Sequence, residues 1–343
     1  MAKTQLAVIG AGVIGKTHIG KILHSTDLAL VGVSDPGPQG REYAAQLGVR
    51  AYEDHRALLD ETKPQGVIVA TPNAQHVSVA LDCLERGIPV IVEKPIADTV
   101  AQAQQLVDAQ ARFKVAVLTG HHRRYNPIMQ RARSLVQSGA LGQLVSANAM
   151  ATFLKPDGYF NVAWRKQLGG GPILINLIHD IDMLRFLLGD VAQVQALQSN
   201  QQRGFEVEDT AAAVLRFANG ALGTLVVSDA AASPFCWDFV AGEQPQYPRQ
   251  QVPSHFIAGT HGSLTLPDLN LWQYKGERSW HAEFTQTREA VHQQDPYEQQ
   301  LAHFKAVIEE GAAPICDALE GLKTLQATLA VSEAARTGHT IVI

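Results

Sequence analysis

The feature that most constrains this chain is the glycine pattern near its N-terminus. The apolar run LAVIG ends at Gly10, the first glycine of GAGVIG, and a helical pattern follows. This order predicts a strand, a glycine-rich turn and a helix. A second apolar run, LALVGVSD, ends at Asp35, twenty positions beyond Gly15, where a dinucleotide-binding fingerprint has its ribose-binding acid. The combination predicts a dinucleotide-binding Rossmann unit, and an isolated glycine turn followed by a turn aspartate explains the spacing poorly.

Strand and helix patterns continue to alternate along the first third of the chain. Beyond Asp35 we predict helices near 38–48, 74–87 and 98–113 and strands at 66–70, 88–93 and 114–120. Such alternation is typical of parallel strands joined by crossover helices. We therefore expect a doubly wound parallel sheet with helices on both faces.

The pattern changes after about residue 121. Two predicted helices precede a long succession of β-like segments, and two more helices end the chain. Their approximate ranges are 126–138, 172–188, 190–285, 296–310 and 317–336. No repeat or low-complexity linker interrupts the sequence, so we predict two tightly joined domains, residues 1–121 and residues 122–343.

Composition and charge exclude several kinds of partner. The chain has 343 residues, 46% of them hydrophobic, a formal net charge of -5 and no block of Lys or Arg. We therefore expect neither nucleic acid nor a membrane surface as a partner. The first residues run straight into a strand pattern without the features of a signal peptide. Cys83, Cys236 and Cys316 are widely spaced and form no CxxC, which favours a cytoplasmic protein without disulfides or a metal site.

The residues that follow each predicted strand are the candidates for binding a cofactor. In a doubly wound sheet the ligand lies beyond the carboxyl ends of the strands. A helix that starts near Val13 presents free N–H groups to a pyrophosphate, and Gly12 lets the backbone come close. Asp35 favours NAD over NADP, because a carboxylate repels a 2'-phosphate. The NAD-binding candidates are Gly10, Gly12, Val13, Ile14, Gly15, Asp35, Ala70, Thr71, Pro72, Asn73, His76, Glu93, Lys94 and Pro95. For His76, and for His18 nearby, packing or capping is the alternative role.

Four motifs together resemble one known family. They are the N-terminal GxGxxG, ATPN at residues 70–73, EKP at residues 93–95 and a helix that follows GGG and carries a histidine. The combination resembles the glucose-fructose oxidoreductase / inositol dehydrogenase / MocA family over essentially the whole chain. The resemblance implies a nicotinamide-dependent oxidoreductase. Its second domain is then built on a large, open, mostly antiparallel sheet packed on helices, through which homodimers or homotetramers form.

The resemblance also assigns roles to single residues. It places Lys94 beside the nicotinamide and the substrate hydroxyl, makes His179 the acid/base, and implies a cis peptide bond before Pro95. The residues themselves agree for Lys94, because a lysine just after the apolar strand IPVIV is partly desolvated and can donate to a substrate oxygen. The alternative is a salt bridge between Lys94 and Glu93 at the strand end.

The stretch GGGPILINLIHDID, residues 169–182, places polar side chains in what otherwise reads as a core helix. Pro172 suits a first helical turn, and the glycines before it permit a close backbone approach, which we expect to be to the nicotinamide end of the cofactor. Asn176 and His179 share one helix face. Asp180 and Asp182 point elsewhere, towards solvent, a helix partner or a domain-interface bond.

The sequence departs from the family at one position of this helix. Many relatives carry an aspartate four residues before the histidine, where it assists the acid/base, and here that position is Ile175. Asn176 is the nearest polar substitute and is our third catalytic candidate. Asparagine cannot take a proton, but it can orient a substrate hydroxyl.

Two further segments line the substrate site in similar proteins. One follows the last Rossmann strand and the other precedes the three glycines. The substrate-binding candidates are Arg123, Arg124, Tyr125, Asn126, Trp164, Arg165, Asn176 and His179. Aromatic and guanidinium groups suit a sugar ring, either neutral or carboxylated. For each single arginine, packing between the domains is the alternative role.

The sequence therefore predicts an NAD(H)-dependent dehydrogenase or reductase with a small-molecule substrate. We expect hydride transfer between nicotinamide and a sugar, an inositol-like polyol or a related cyclic hydroxy compound. Two alternatives remain at this point. One is a glycosidase that uses NAD for transient oxidation, and the other is a non-catalytic dinucleotide-binding sensor.

Overall fold

The computed structural model describes residues 2–343 and divides them into two compact units. The first unit runs to Tyr125 and also contains Asp295–Leu325. The second consists of Asn126–Gln294 and Gln326–Ile343. The predicted boundary after residue 121 lies close to the observed one, but the prediction gave everything beyond it to a second domain. In the structure the chain returns to the first unit near its end.

The first unit contains a six-stranded sheet. Its strands are Thr4–Ile9 (β1), Leu28–Ser34 (β2), Ala51–Tyr52 (β3), Gly66–Val69 (β4), Val90–Val92 (β5) and Val117–Thr119 (β6). All neighbours pair in parallel, in the order β3-β2-β1-β4-β5-β6. This is the order of a Rossmann fold and confirms the predicted parallel sheet.

Ten α-helices occur among the described residues. They are Val13–His24 (α1), Pro38–Gln46 (α2), His55–Thr62 (α3), Asn73–Leu84 (α4), Val100–Phe113 (α5), Pro127–Gln137 (α6), Ile178–Leu188 (α7), Trp237–Val240 (α8), Pro296–Glu310 (α9) and Ala318–Thr337 (α10). A π-helical turn, Ile173–Leu177, directly precedes α7. None of the helices formed by residues 2–343 combines the length and the hydropathy needed to cross a bilayer.

Helix α9 belongs to the first unit because its apolar face completes that unit's core. Leu6 and Val8 of β1, Ile19 of α1 and Phe304 of α9 are all fully buried in one cluster. A Cβ atom at Gly66 would lie 2.8 Å from the Phe304 ring, so the strand and the helix pack closely only because this position is glycine. This packing holds α9 in the first unit, although α9 lies near the end of the chain. A local sequence pattern does not reveal such a long-range contact.

The second unit contains a nine-stranded sheet. Its strands are Leu144–Thr152 (β7), Val191–Ser199 (β8), Thr210–Phe217 (β9), Leu222–Ser228 (β10), His255–Gly259 (β11), Gly262–Leu266 (β12), Asn270–Tyr274 (β13), Phe284–Arg288 (β14) and Ile341–Val342 (β15). The order is β14-β13-β12-β11-β7-β10-β9-β8-β15, and only β7 and β10 pair in parallel. The mostly antiparallel sheet that the resemblance implies is confirmed.

One face of this sheet is covered by helix. All residues of α7 are buried, and the helix packs against β7. Along β9, buried and exposed residues alternate, as expected for a strand with one covered face. On the other face Val214 of β9 is 46% exposed, Leu197 of β8 is 75% exposed and Phe256 of β11 is 42% exposed. This open face is therefore partly apolar.

Candidate active site

The glycine turn of the first unit is fixed by close packing. Gly10 has a φ of +98°, which favours glycine, and a Cβ atom there would lie 2.4 Å from the carbonyl oxygen of Ala70. A Cβ atom at Gly15 would lie 1.9 Å from the carbonyl oxygen of Gly10. Both glycines are therefore required for α1 to approach β1 and β4.

Gly12 is different, because a Cβ atom there would meet no protein atom within 4 Å. It stands at the N-cap of α1, and no side chain caps the helix. Val13, the first residue of the helix, is 87% exposed. The open space and the free N–H groups of a twelve-residue helix fit the pyrophosphate of a dinucleotide.

Asp35 is tied to the glycine turn by its carboxylate. Its Oδ2 accepts a hydrogen bond from the backbone N–H of Ala11 at 2.7 Å, and its Oδ1 accepts one from Gly37 at 2.8 Å. Each carboxylate oxygen keeps acceptor capacity for a ribose hydroxyl. The guanidinium of Arg41 donates to the carbonyl oxygens of Asp35 and Pro36, at 3.0 and 2.6 Å. The acid therefore stands where the fingerprint requires it.

His76 joins two loops at the carboxyl edge of the sheet. Its Nδ1 lies 2.8 Å from the carbonyl oxygen of Pro95 and its Nε2 lies 2.9 Å from that of Thr71. Burial lowers the pKa of His76, against the opposing effect of the two carbonyl oxygens. These contacts give His76 the packing role, which holds the ATPN and EKP segments together.

Lys94 lies just beyond β5, after Glu93, and is half-buried. The Lys94–Pro95 bond is cis, which confirms that expectation. Oε2 of Glu93 accepts a hydrogen bond from the backbone N–H of Lys94 at 3.2 Å. The other oxygen, Oε1, lies 2.8 Å from Nε2 of the buried His18. The carboxylate thus links the backbone of Lys94 to α1.

The charge of Glu93 is stabilised inside the protein. Burial by itself raises the pKa of this carboxyl group. The hydrogen bond and electrostatic effect of His18, together with those of His122 and Lys94, outweigh burial and hold the pKa of Glu93 below its usual value.

Sequence reasoning missed the aromatic partner of this cluster. The ring of His122 stacks on Tyr297 with centroids 4.3 Å apart, and His18 meets the same tyrosine edge-on at 5.5 Å. Tyr297 lies in α9, far along the chain, so no local motif connects it to the EKP segment.

The segment after β6 is buried, and its contacts within the first unit favour packing. Arg124 forms an ion pair with Glu320 at 2.9 Å and is 2% exposed. The ring of Tyr125 packs beside His303 at 5.5 Å. Arg123 is 4% exposed.

Asn126 opens the second unit as the N-cap of α6. Its Oδ1 accepts from the backbone N–H of Ile128 at 2.8 Å, and its Nδ2 donates to Glu243 at 2.6 Å. These contacts favour a capping role over substrate contact.

Two of the three glycines before the histidine helix pack closely against the protein itself. A Cβ atom at Gly170 would lie 2.3 Å from the carbonyl oxygen of Trp164, and one at Gly171 would lie 2.2 Å from Oε1 of Glu208. The same oxygen accepts from the backbone N–H of Ile173 at 2.9 Å. Neighbouring backbone and a carboxylate therefore occupy the space at Gly170 and Gly171, whereas a Cβ atom at Gly169 would meet no atom within 4 Å. The close approach to the nicotinamide stays a prediction.

The predicted helix at 172–188 begins as the π-helical turn and continues as α7. His179 lies in the first turn of α7 and is 9% exposed. In the π-helical turn, Oδ1 of Asn176 accepts a hydrogen bond from Nζ of Lys155 at 2.8 Å. Ile175 and Asn176 are half-buried, whereas every residue of α7 is buried. The accessible part of the predicted helix therefore lies in the π-helical turn. We call its half-buried residues, which include Ile175 and Asn176, the accessible strip.

The two acids that follow His179 are inside the protein. Asp180 and Asp182 are each 1% exposed, so the solvent alternative was wrong. Oδ1 of Asp180 lies 3.0 Å from Nε2 of His255, and Nδ1 of that ring lies 2.9 Å from the hydroxyl of Ser254. The partner on β11 connects the histidine helix to the sheet.

Lys155 is the functional candidate that sequence reasoning missed. It is 7% exposed, and its Nζ lies 3.4 Å from Oδ2 of Asp229 and 4.7 Å from the centroid of the Tyr159 ring. Burial lowers the pKa of Lys155, and Arg203 and Arg165 lower it further against the opposing effect of Asp229. Lys155 follows β7, a strand that the sequence pattern did not predict, so its position at a strand end was not visible.

Arg165 and Trp164 lie in the same part of the second unit. The guanidinium of Arg165 is 3.9 Å from the centroid of the Tyr159 ring, and its Nη1 donates to the carbonyl oxygen of Tyr159 at 2.7 Å. Trp164 is 51% exposed. Aromatic surface and positive charge thus occur together here.

Family models match both the N-terminal and the C-terminal part of the chain. A family model described as an oxidoreductase family with an NAD-binding Rossmann fold matches residues 4–121. The GFO/IDH/MocA C-terminal domain matches residues 129–265. These matches cover well over half of the chain, which therefore belongs to the GFO/IDH/MocA family of oxidoreductases. Its cofactor is NAD, held by the first unit.

Individual relatives are distant. The rhizopine catabolism protein MocA of Rhizobium meliloti is 29% identical over 190 residues, which are 55% of this chain and 58% of that protein. The chain thus spans little more than half the length of that relative. The 1,5-anhydro-D-fructose reductase of Ensifer adhaerens is 27% identical over 97% of this chain and 96% of its own. The WlbA dehydrogenase from Bordetella pertussis, solved in complex with NADH and UDP-GlcNAcA, shares the fold with a TM-score of 0.81, 22% identity and 99% of each chain covered.

Proposed function

We propose that this protein transfers a hydride between NAD and the CH–OH group of a sugar, polyol or related cyclic hydroxy compound. The observation that carries the proposal is the position of Lys94. It lies just beyond β5, after Glu93, at the carboxyl edge of the parallel sheet, the edge at which dinucleotides bind. Relatives are named as reductases and dehydrogenases of such compounds, including a myo-inositol 2-dehydrogenase and a D-glucoside 3-dehydrogenase, which supports the substrate class.

The chemistry divides between two residues. The bound nicotinamide supplies the hydride acceptor in oxidation and the donor in reduction. In oxidation, His179 takes the proton of the substrate hydroxyl, and Lys94 stabilises the negative charge that develops on that oxygen. In reduction the same proton returns from His179. Asn176 orients a substrate hydroxyl but carries no proton.

The experiment that tests the proposal is a turnover screen. Polyols, aldoses and hydroxy acids are each incubated with the protein and NAD, and NADH formation is followed by absorbance. NADH formation with at least one compound supports the proposal. Hydrolysis of a glycoside without net NADH supports the glycosidase instead, and tight NADH binding with no turnover of either kind supports the sensor.

We also propose that the protein forms a homodimer or homotetramer through the open face of the nine-stranded sheet. The register places Val214, Thr224, Asn148 and Phe256 side by side in one row across four strands. Val214 and Phe256 are 46% and 42% exposed in the single chain. A second copy that covers this face removes apolar surface from water.

A cytoplasmic location belongs to the same proposal. Cys83, Cys236 and Cys316 are buried free thiols. Burial raises the pKa of Cys83 to about 12, so its thiol is unreactive at neutral pH. Free thiols suit a reducing compartment.

A further inference from the structure

Lys155, a buried lysine of the second unit, contacts the π-helical turn that precedes the helix carrying His179. Nζ of Lys155 donates to Oδ1 of Asn176 at 2.8 Å, and the lysine is 7% exposed. Burying an ammonium group is costly unless it is paired and hydrogen-bonded. The contacts of Lys155 therefore define what this part of the protein can bind.

The hydrogen bond from Lys155 determines the orientation of the side-chain amide of Asn176. An ammonium group only donates, so the amide oxygen faces Lys155 and the amide nitrogen faces away. Asn176 is half-buried, and its Nδ2 has no acceptor among residues 2–343. On the accessible strip of the helix, Asn176 therefore offers N–H donors.

Two further cationic side chains, those of Arg203 and Arg165, lie near this pair. Asp229 is shared, because its Oδ2 lies 3.4 Å from Lys155 while its Oδ1 accepts from Nε of Arg203 at 2.8 Å. Arg165 adds a third cation, and its buried Nε has no acceptor within the described chain.

Glu208 accepts from the backbone N–H of Ile173. The buried Asp209 accepts from the backbone N–H of Arg203 at 2.9 Å, and the exposed Asp157 lies 3.8 Å from Nη1 of Arg203. None of these three carboxylate contacts engages the side chains of Lys155, Asn176 or Arg165.

We propose that Lys155, Asn176 and Arg165 bind a carboxylate of the substrate, so that the substrate is a polyhydroxy acid. The inference rests on the proposed oxidoreductase function and narrows its substrate class. A carboxylate only accepts hydrogen bonds and is negatively charged, which matches the N–H donors of Asn176 and Arg165 and the cationic side chains of Lys155 and Arg165. Ile175 is consistent with carboxylate binding, because an aspartate at this position would repel a carboxylate ligand.

Matched pairs of compounds test the inference. D-glucuronate is compared with D-glucose, and D-gluconate with D-sorbitol, since each pair differs by a carboxylate in place of CH2OH. Binding is read from the melting temperature of the NADH-loaded protein, and turnover is read from NADH formation with NAD. We expect at least one acid to bind roughly tenfold or more tightly than its neutral partner, as loss of a charged hydrogen bond implies.

Variants assign the effect to the lysine. Lys155→Met should abolish the tighter binding of the acid relative to its neutral partner, and Lys155→Arg should retain part of this difference. Lys166→Met, which removes an exposed cation of the same region, should leave it unchanged. Asn176→Asp should weaken acid binding by repulsion, and it carries the test if Lys155→Met does not fold. NADH binding by each variant serves as the folding control.

The inference is overturned if no acid binds more tightly than its neutral partner, or if the advantage persists in Lys155→Met and Asn176→Asp. Failure of the proposed function looks different. In that case an acid binds the NADH-loaded protein and needs Lys155, but no NADH forms with NAD.

Discussion

Oε1 of Glu93 lies 2.8 Å from Nε2 of His18 in a pair whose side chains are 5% and 0% exposed, respectively. The other carboxylate oxygen accepts the backbone N–H of Lys94. The pair therefore supports the backbone of the proposed catalytic lysine from inside the first unit. Because one partner of a buried pair left alone is strongly destabilising, the pair should matter for stability as well as for position.

Glu93→Gln should lower the free energy of unfolding by about 1–3 kcal/mol at neutral pH. The pKa of Glu93 is lowered in the folded protein, so its stabilisation is fully present above the unfolded pKa of about 4.3 and is lost as pH falls through the folded value. Urea unfolding of both proteins across this range checks the prediction. The difference between them should shrink in acid, and the exposed control Glu42→Gln should change little at any pH.

Gly12→Ala should leave the fold intact and weaken NADH binding. The new Cβ atom meets no protein atom within 4 Å, so a loss of affinity must come from the space that the pyrophosphate needs. Gly20→Ala, in the same helix and equally unobstructed, should keep full affinity. Fluorescence titration with NADH and thermal melting measure the two effects separately. A Gly12→Ala protein that binds NADH normally would contradict the assignment of this turn.

Asp35→Ser should improve the use of NADP relative to NAD by roughly tenfold or more, because the repulsion of a 2'-phosphate is removed. The ratio of kcat/KM for the two coenzymes measures this change. Arg41, which is bonded to the backbone at Asp35, stays in place to meet the phosphate. If the unmodified protein has comparable kcat/KM values for NADP and NAD, the proposed role of Asp35 is wrong.

Val214→Glu should dissociate the assembly without unfolding the chain, because it places a charge on the open face of the sheet. Sedimentation velocity at micromolar concentration measures the effect. The unmodified protein should sediment as a dimer or tetramer. A 37.1 kDa monomer in the unmodified protein would exclude the proposed interface.

The sequence predicted those features that short motifs encode. The glycine turn, Asp35, the strand before Lys94 and most helices of the Rossmann unit follow from local apolar patterns, whereas β3 and α3 were not predicted. The π-helical turn was read as regular α-helix, since an apolar run cannot distinguish the hydrogen bonds between residues four apart in an α-helix from those between residues five apart in a π-helix.

Long-range contacts were not predictable in the same way. Lys155 meets Asn176 across 21 positions, and Tyr297 meets His122 from a helix near the chain end. The pairing of Asp180 with His255 likewise depends on where β11 lies in the sheet. Each contact depends on the tertiary fold, which brings together residues that no spacing rule connects.

Turnover of His179→Ala and Lys94→Ala on a substrate found by the screen tests the central claim most directly. Each variant should lose roughly 100-fold or more of kcat, because proton transfer and charge stabilisation each contribute on that order, while His179→Ala keeps its affinity for NADH. Gly158→Ala, at an exposed and unobstructed position, is the control that should keep full activity. If His179→Ala retains near-full activity, the proton leaves by another route and the proposed mechanism is contradicted.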